Sequence, residues 1–145
     1  MTVSFKFISK NAKLPEIKTT GAAGADLYAC IDSNIIIQPG ETKFIPLGFK
    51  TEFEPGYVGL IYARSGLACK HGLAPANKVG VIDSDYRGEW MVALHNHSDR
   101  TEQVAPGDRI AQVIFQKVEL PNFVVVDDLS DTERGEGGFN STGKQ

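Results

Sequence analysis

Apolar and polar positions alternate with period two along most of the 145-residue chain, and a helical period is nearly absent. Residues 3–8 (VSFKFI), 34–38 (NIIIQ), 42–53 (TKFIPLGFKTEF), 57–63 (YVGLIYA), 88–98 (GEWMVALHNHS), 109–118 (RIAQVIFQKV) and 122–127 (NFVVVD) read as short strands. QPGE, EPGY, APGD and LPNF separate them, with proline and glycine supplying turn dihedrals. VGVID followed by SDYRG and EWMVAL predicts a β-hairpin reversing at residues 84–88. Only RSGLACKHG, 64–72, reads as helix, and it is brief. This pattern predicts an all-β sandwich, barrel or jelly roll. At DDLSDTERGEGG acidic and glycine residues replace apolar ones, so the chain divides into one β domain over 1–130 and a mobile Gly-rich C-terminal arm over 131–145.

Composition narrows the function classes. Fifteen Lys and Arg against 18 Asp and Glu give a net charge of −3, which argues against a general nucleic-acid or anionic-membrane binder. An anionic ligand then needs a local cluster or a metal. Cys30 and Cys69 lack CxxC spacing and are expected to be buried free thiols in a reducing compartment. No N-terminal run has signal-peptide length and no window approaches a membrane span, so a soluble cytoplasmic protein is expected.

Three loops carry unusual chemistry for a plain β domain. In ARSGLA, 63–68, a strand gives way to a helix whose free N–H groups, with Arg64 and Ser65, offer an anion site; alternatively Ser65 only caps the helix and Arg64 faces water. In NKVGVIDSDYRGEW, 77–90, Asp83 and Asp85 share a tight reversal. A carboxylate there either takes a proton from an attacking water or serves ordinary turn chemistry. Tyr86 is either a wall for a flat ligand or a packing residue. The tail GFNSTGK, 138–144, matches part of a P-loop but lacks the following Ser/Thr and helix, which rejects a P-loop NTPase. Its glycine N–H groups, with Arg134, Ser141 and Thr142, suit a terminal phosphate, and Phe139 suits a base; a disordered end is the alternative. His95 and His97 share a strand face but have no companion ligands for a metal.

Read together, these loops resemble the trimeric dUTP pyrophosphatase (dUTPase) family. GAAGADLYA (21–29), ARSGLA, GVIDSDYRGE, GDRIAQVIF (107–115) and RGEGGFNSTG (134–143) resemble its five motifs, in order, across nearly the whole chain. The resemblance implies a distorted jelly-roll β-barrel, a homotrimer whose sites are shared between subunits, and Mg2+-assisted hydrolysis of dUTP to dUMP and pyrophosphate, which limits uracil in DNA and supplies dUMP for thymidylate synthesis. It implies Asp83 as general base; Arg64, Ser65, Gly66 and Gln112 as phosphate contacts; and Asp26 as a metal support acting through water. Asn77, Gly80 and Ile82 would read uracil and Tyr86 would pack on deoxyribose. The C-terminal arm would close as a lid, with Arg134, Ser141 and Thr142 on the phosphates and Phe139 on uracil. Asn140 stands where the family pattern has glycine. A dCTP deaminase on the same fold and a non-catalytic nucleotide-binding module are the alternative functions.

Overall fold

In the computed structural model, residues 1–138 are described. Eleven strands and one helix follow in the order β1 (Val3–Phe7), β2 (Ala25–Tyr28), β3 (Ile35–Ile37), β4 (Thr42–Pro46), β5 (Phe49–Phe53), β6 (Tyr57–Tyr62), α1 (Ser65–His71), β7 (Leu73–Pro75), β8 (Gly80–Ile82), β9 (Met91–Asn96), β10 (Glu102–Val104) and β11 (Arg109–Lys117). Among the described residues the ladders are antiparallel and form four sheets: β1–β5, β10–β3, β2–β11–β6–β8 and β4–β9–β7. One core serves all of them, with Leu27, Ile37, Ile45, Phe49, Trp90 and Leu94 fully buried at its centre. The architecture is mostly β and agrees with the jelly-roll expectation.

The turn chemistry acts where the Pro-Gly pairs stand. Gly40, Gly56 and Gly107 follow proline with φ of 74°, 85° and 79°, the left-handed region a type II turn needs at its third residue. Residues 42–53, a single run by pattern, break into β4 and β5. Gly48 (φ 74°) turns the corner between sheets, and a Cβ there would lie 2.4 Å from Cys30 Sγ.

Three expectations are corrected. Residues 79–94 form no hairpin, because β8 pairs with β6 while β9 pairs with β4 and β7. The cause is Trp90: its N–H donates to Phe49 O (3.0 Å) and its carbonyl accepts from Leu47 N–H (2.9 Å), so the chain crosses the core into the other sheet. Residues 122–127 form no strand; Phe123 is 90% and Val125 99% exposed, and β-propensity without a neighbouring strand to pack on makes no ladder. The cysteines are free but not buried: Cys30 is half-buried and Cys69 exposed, since α1 docks only through half-buried Leu67.

Candidate active site

Asp26 sits in the middle of a polar cluster on the sheet face opposite the core. Its backbone is fixed on both sides, bridged to Glu16 and paired with Gln112 on β11. The carboxylate is shared: Arg64 Nε donates to Oδ1 and Arg109 Nη1 to Oδ2, both at 2.9 Å. Arg64 Nη1 also donates to the Arg109 carbonyl at 2.9 Å, so two of its nitrogens are held and Nη2 stays available. Arg64 is the residue before α1, extended at φ −87° and ψ 128°, with no side chain capping the helix. Ser65 is therefore an exposed first-turn residue and not the cap. A Cβ on Gly66 would meet open space, which leaves this helix start accessible.

Gln112 completes the cluster. Its Nε2 donates to the Ala63 carbonyl at 2.9 Å, tying it to the segment that carries Arg64. Gly24 makes room for it, because a Cβ there would lie 2.5 Å from Gln112 Oε1. Beside Asp26, the Lys18 ammonium and then the Tyr28 hydroxyl donate to Glu16 and hold its pKa below the ordinary carboxylate value, while partial burial, followed by Glu16, raises that of Tyr28.

A second group surrounds a pocket of about 280 Å³ lined by Asn77, Ile82, Asp83 and Tyr86, with Phe44 and Met91 at its side. The Tyr86 hydroxyl donates to Glu89 O (3.1 Å) and its ring lies over bare Gly88, where a Cβ would lie 2.3 Å from the ring's Cζ. The ring is thus fixed against its own loop. Asn77 is presented by a tight turn in which Val79 N–H donates to the Asn77 carbonyl at 2.7 Å. At its centre Lys78 takes φ 66°, alone among the described non-glycine residues in having positive φ. Gly80 lets β8 approach β6, since a Cβ would lie 3.1 Å from that of Ile61.

Register separates the two groups within one chain. Ile82 pairs with Gly59 and Gly80 with Ile61, so Asp83 follows at the Val58 end of β6 and Arg64 lies beyond the other end. Six residues of extended chain from Val58 to Arg64 amount to roughly 20 Å.

These motifs agree with the comparisons. A family model described as dUTPase matches residues 10–143. The chain belongs to the dUTPase family. The deoxyuridine 5'-triphosphate nucleotidohydrolase of Tolumonas auensis is 46% identical over 138 residues, covering 94% of this chain and 91% of its own. That of Desulfitobacterium hafniense is 51% identical over 135 residues, covering 92% and 89%. Among solved structures, a variant of the Staphylococcus bacteriophage 80alpha dUTPase with dUpNHpp superposes with a TM-score of 0.86 at 27% identity over 99% of both chains. This dUTPase is accordingly a dUTP diphosphatase, a hydrolase of nucleotide metabolism acting on dUTP.

Within one dUTPase chain, Asp26, Arg64 and Gln112 come together beside exposed Ser65 and Gly66, and Asn77, Ile82, Asp83 and Tyr86 share the pocket that Gly80 adjoins. The two sets do not meet. Arg134 lies apart, its Nε donating to Gly137 O at 2.8 Å, and Phe139, Ser141 and Thr142 fall outside the described residues. His95 and His97 stack edge to face at 4.4 Å, and His95 Nδ1 bonds Thr42 Oγ1. No group of three or more His, Cys, Asp or Glu residues suited to a metal occurs among the described residues. Arg109 escaped the sequence reading, although it stands three residues before Gln112.

Proposed function

We propose that this dUTPase cleaves dUTP between the α- and β-phosphates by attack of water at the α-phosphorus, with Asp83 as general base, giving dUMP for thymidylate synthesis and keeping uracil out of DNA. The observation carrying this reading is the pocket that sets an exposed carboxylate, Asp83, beside Asn77, Ile82 and Tyr86 in a space fit for one pyrimidine nucleoside. Asn77 and the backbone of Gly80 and Ile82 read the uracil edge, where a base with mismatched donors leaves buried groups unpaired. The fixed Tyr86 ring walls the sugar and leaves no room for a 2'-hydroxyl. Arg64, Ser65, Gly66 and Gln112 bind the phosphates. Arg134, Ser141 and Thr142 add phosphate contacts when the arm closes, and Phe139 stacks on the base; closure excludes water other than the nucleophile.

Magnesium fits as an ion carried by the triphosphate. Each Asp26 oxygen accepts one guanidinium N–H and keeps a lone pair, which suits a metal-bound water better than the metal itself. When bound, the ion offsets charge on the phosphate oxygens. The roughly 20 Å between Asp83 and Arg64 along β6 favours a site completed by another copy. So does the exposed apolar segment 122–127; a further copy is favoured on these two grounds, and the resemblance to trimeric dUTPases makes the assembly a homotrimer of a soluble, cytoplasmic enzyme. Asp83→Asn should abolish pyrophosphate release from dUTP and keep nucleotide binding; near-normal turnover in the folded variant removes Asp83 from its role. Mixing Asp83→Asn chains with Arg64→Gln chains should restore part of the activity, and a mixture as inactive as its components would refute the shared site.

A further inference from the structure

We propose that Arg109 is a positioning residue that keeps Arg64 competent to bind phosphate by sharing the Asp26 carboxylate. This rests on the reading of Arg64 as a phosphate contact. Strict alternation along β11 would place Arg109 on the face of Ala111 and Val113, both fully buried in the core. The ladder instead shifts: Arg109 pairs with Tyr28 and Ala111 with Leu27, leaving Ile110 as the extra residue of a β-bulge. Ile110 and Ala111 are buried in succession, at 1% and 0% exposure, and Arg109 emerges on the face of Asp26 and Gln112. Bulges of this kind re-aim a side chain.

The aim has an electrostatic consequence. Asp26 is only 13% exposed and Arg64 26%. A lone Asp–Arg pair there would be neutral, and Arg64 would offer an incoming phosphate a dipole in place of a charge. With Arg109 on the second oxygen, the three groups sum to +1, while Asp26 and the Arg109 carbonyl still fix the Arg64 guanidinium plane. Arg64 and Arg109 line one cavity of about 580 Å³ and so face accessible space; Glu102 and Asp108 line it too, Glu102 engaged by His71 and Arg100 and Asp108 accepting from Ala105 N–H. Arg109 also prevents Asp26 from drawing the full charge of Arg64.

Arg109→Gln, Arg109→Lys, Asp26→Asn and the Asp26→Asn/Arg109→Gln double variant of the full-length protein are to be compared, with pyrophosphate inhibition constants, the dUTP KM and kcat, and melting temperature as readouts. Losing the shared charge should weaken pyrophosphate about ten-fold in Arg109→Gln and raise the dUTP KM similarly, with a smaller change in kcat. Arg109→Lys should recover most of this, and should supply the result if Arg109→Gln does not fold. In the Asp26→Asn background the Gln substitution should have less than a third of its single-variant effect. Wild-type pyrophosphate affinity in Arg109→Gln, no rescue by lysine, or additive effects in the double variant would each overturn the inference. Those results bear on the role of Arg109 alone, whereas wild-type pyrophosphate affinity and dUTP KM in Arg64→Gln would refute the reading of Arg64 as a phosphate contact beneath it.

Discussion

Adding one methyl group at Gly24 separates stability from activity. An alanine Cβ there would stand 2.5 Å from Gln112 Oε1, 3.2 Å from its Cδ and 3.4 Å from its Cβ, with no backbone atom among these nearest contacts. The obstructed atoms are the end of a flexible side chain, so the amide swings aside and the strand survives. What is lost is the Gln112 Nε2 bond to Ala63 O, worth about 1 kcal/mol. For a domain of this size the melting temperature should fall by about 3 °C. The displaced amide is a phosphate contact under the proposed function, and a misplacement of this order costs roughly ten- to a hundred-fold in kcat/KM. Pyrophosphate release across dUTP concentrations and calorimetric melting measure the two effects. A Gln112→Ala background supplies the control, since Gly24→Ala should add little once the amide is gone. Unchanged kcat/KM in Gly24→Ala, or full additivity with Gln112→Ala, would show that Gln112 does not act through this fixed position.

Lys78 gives a second prediction, because a β-branched side chain is costly at φ 66°. Lys78→Val should lower stability by about 1–2 kcal/mol and raise the dUTP KM by misaligning Asn77, whereas Lys78→Gly should leave both near wild type, as melting and steady-state kinetics will show. In the segment after β11, Phe123→Ser with Val125→Asp removes side chains that are 90% and 99% exposed in the single chain. Sedimentation should show weakened self-association, each burial forgone being worth about 1.5–3 kcal/mol; an unchanged assembly would mean that no partner covers them.

The legible parts of this fold are those that local chemistry decides. Pro-Gly pairs announced their turns because proline fixes one dihedral and glycine permits the next, and Gly40, Gly56 and Gly107 comply. The brief helix after Ala63 was visible for the same reason. Strand pairing was not, because it depends on what else packs nearby: fully buried Trp90 draws residues 89–91 across the core, so two strands one turn apart enter different sheets. Three-residue strands such as β7 and β10 are too short to show a period. At the site, the motif resemblance reached Asp26, Arg64, Gln112 and the Asp83 loop. Arg109 stayed hidden since alternation assigns it to the core face, and only the extra residue at Ile110 reverses that assignment. The Asp83 and Arg64 groups read as neighbours in a motif list, yet register sets them at opposite ends of β6.

Under the shared site proposed above, that opposition along β6 makes catalytic capacity depend on dose. If every working site joins the carboxylate end of one copy to the arginine end of another, activity per chain is a function of concentration. Well above the dissociation constant of the assembly, activity rises in proportion to protein. Below it, activity falls faster than the amount of protein, since each step of dilution removes both molecules and partners. The enzyme then needs no inhibitor to fall silent, and a mutation far from either group that loosens the assembly would read in an assay as the loss of a catalytic residue.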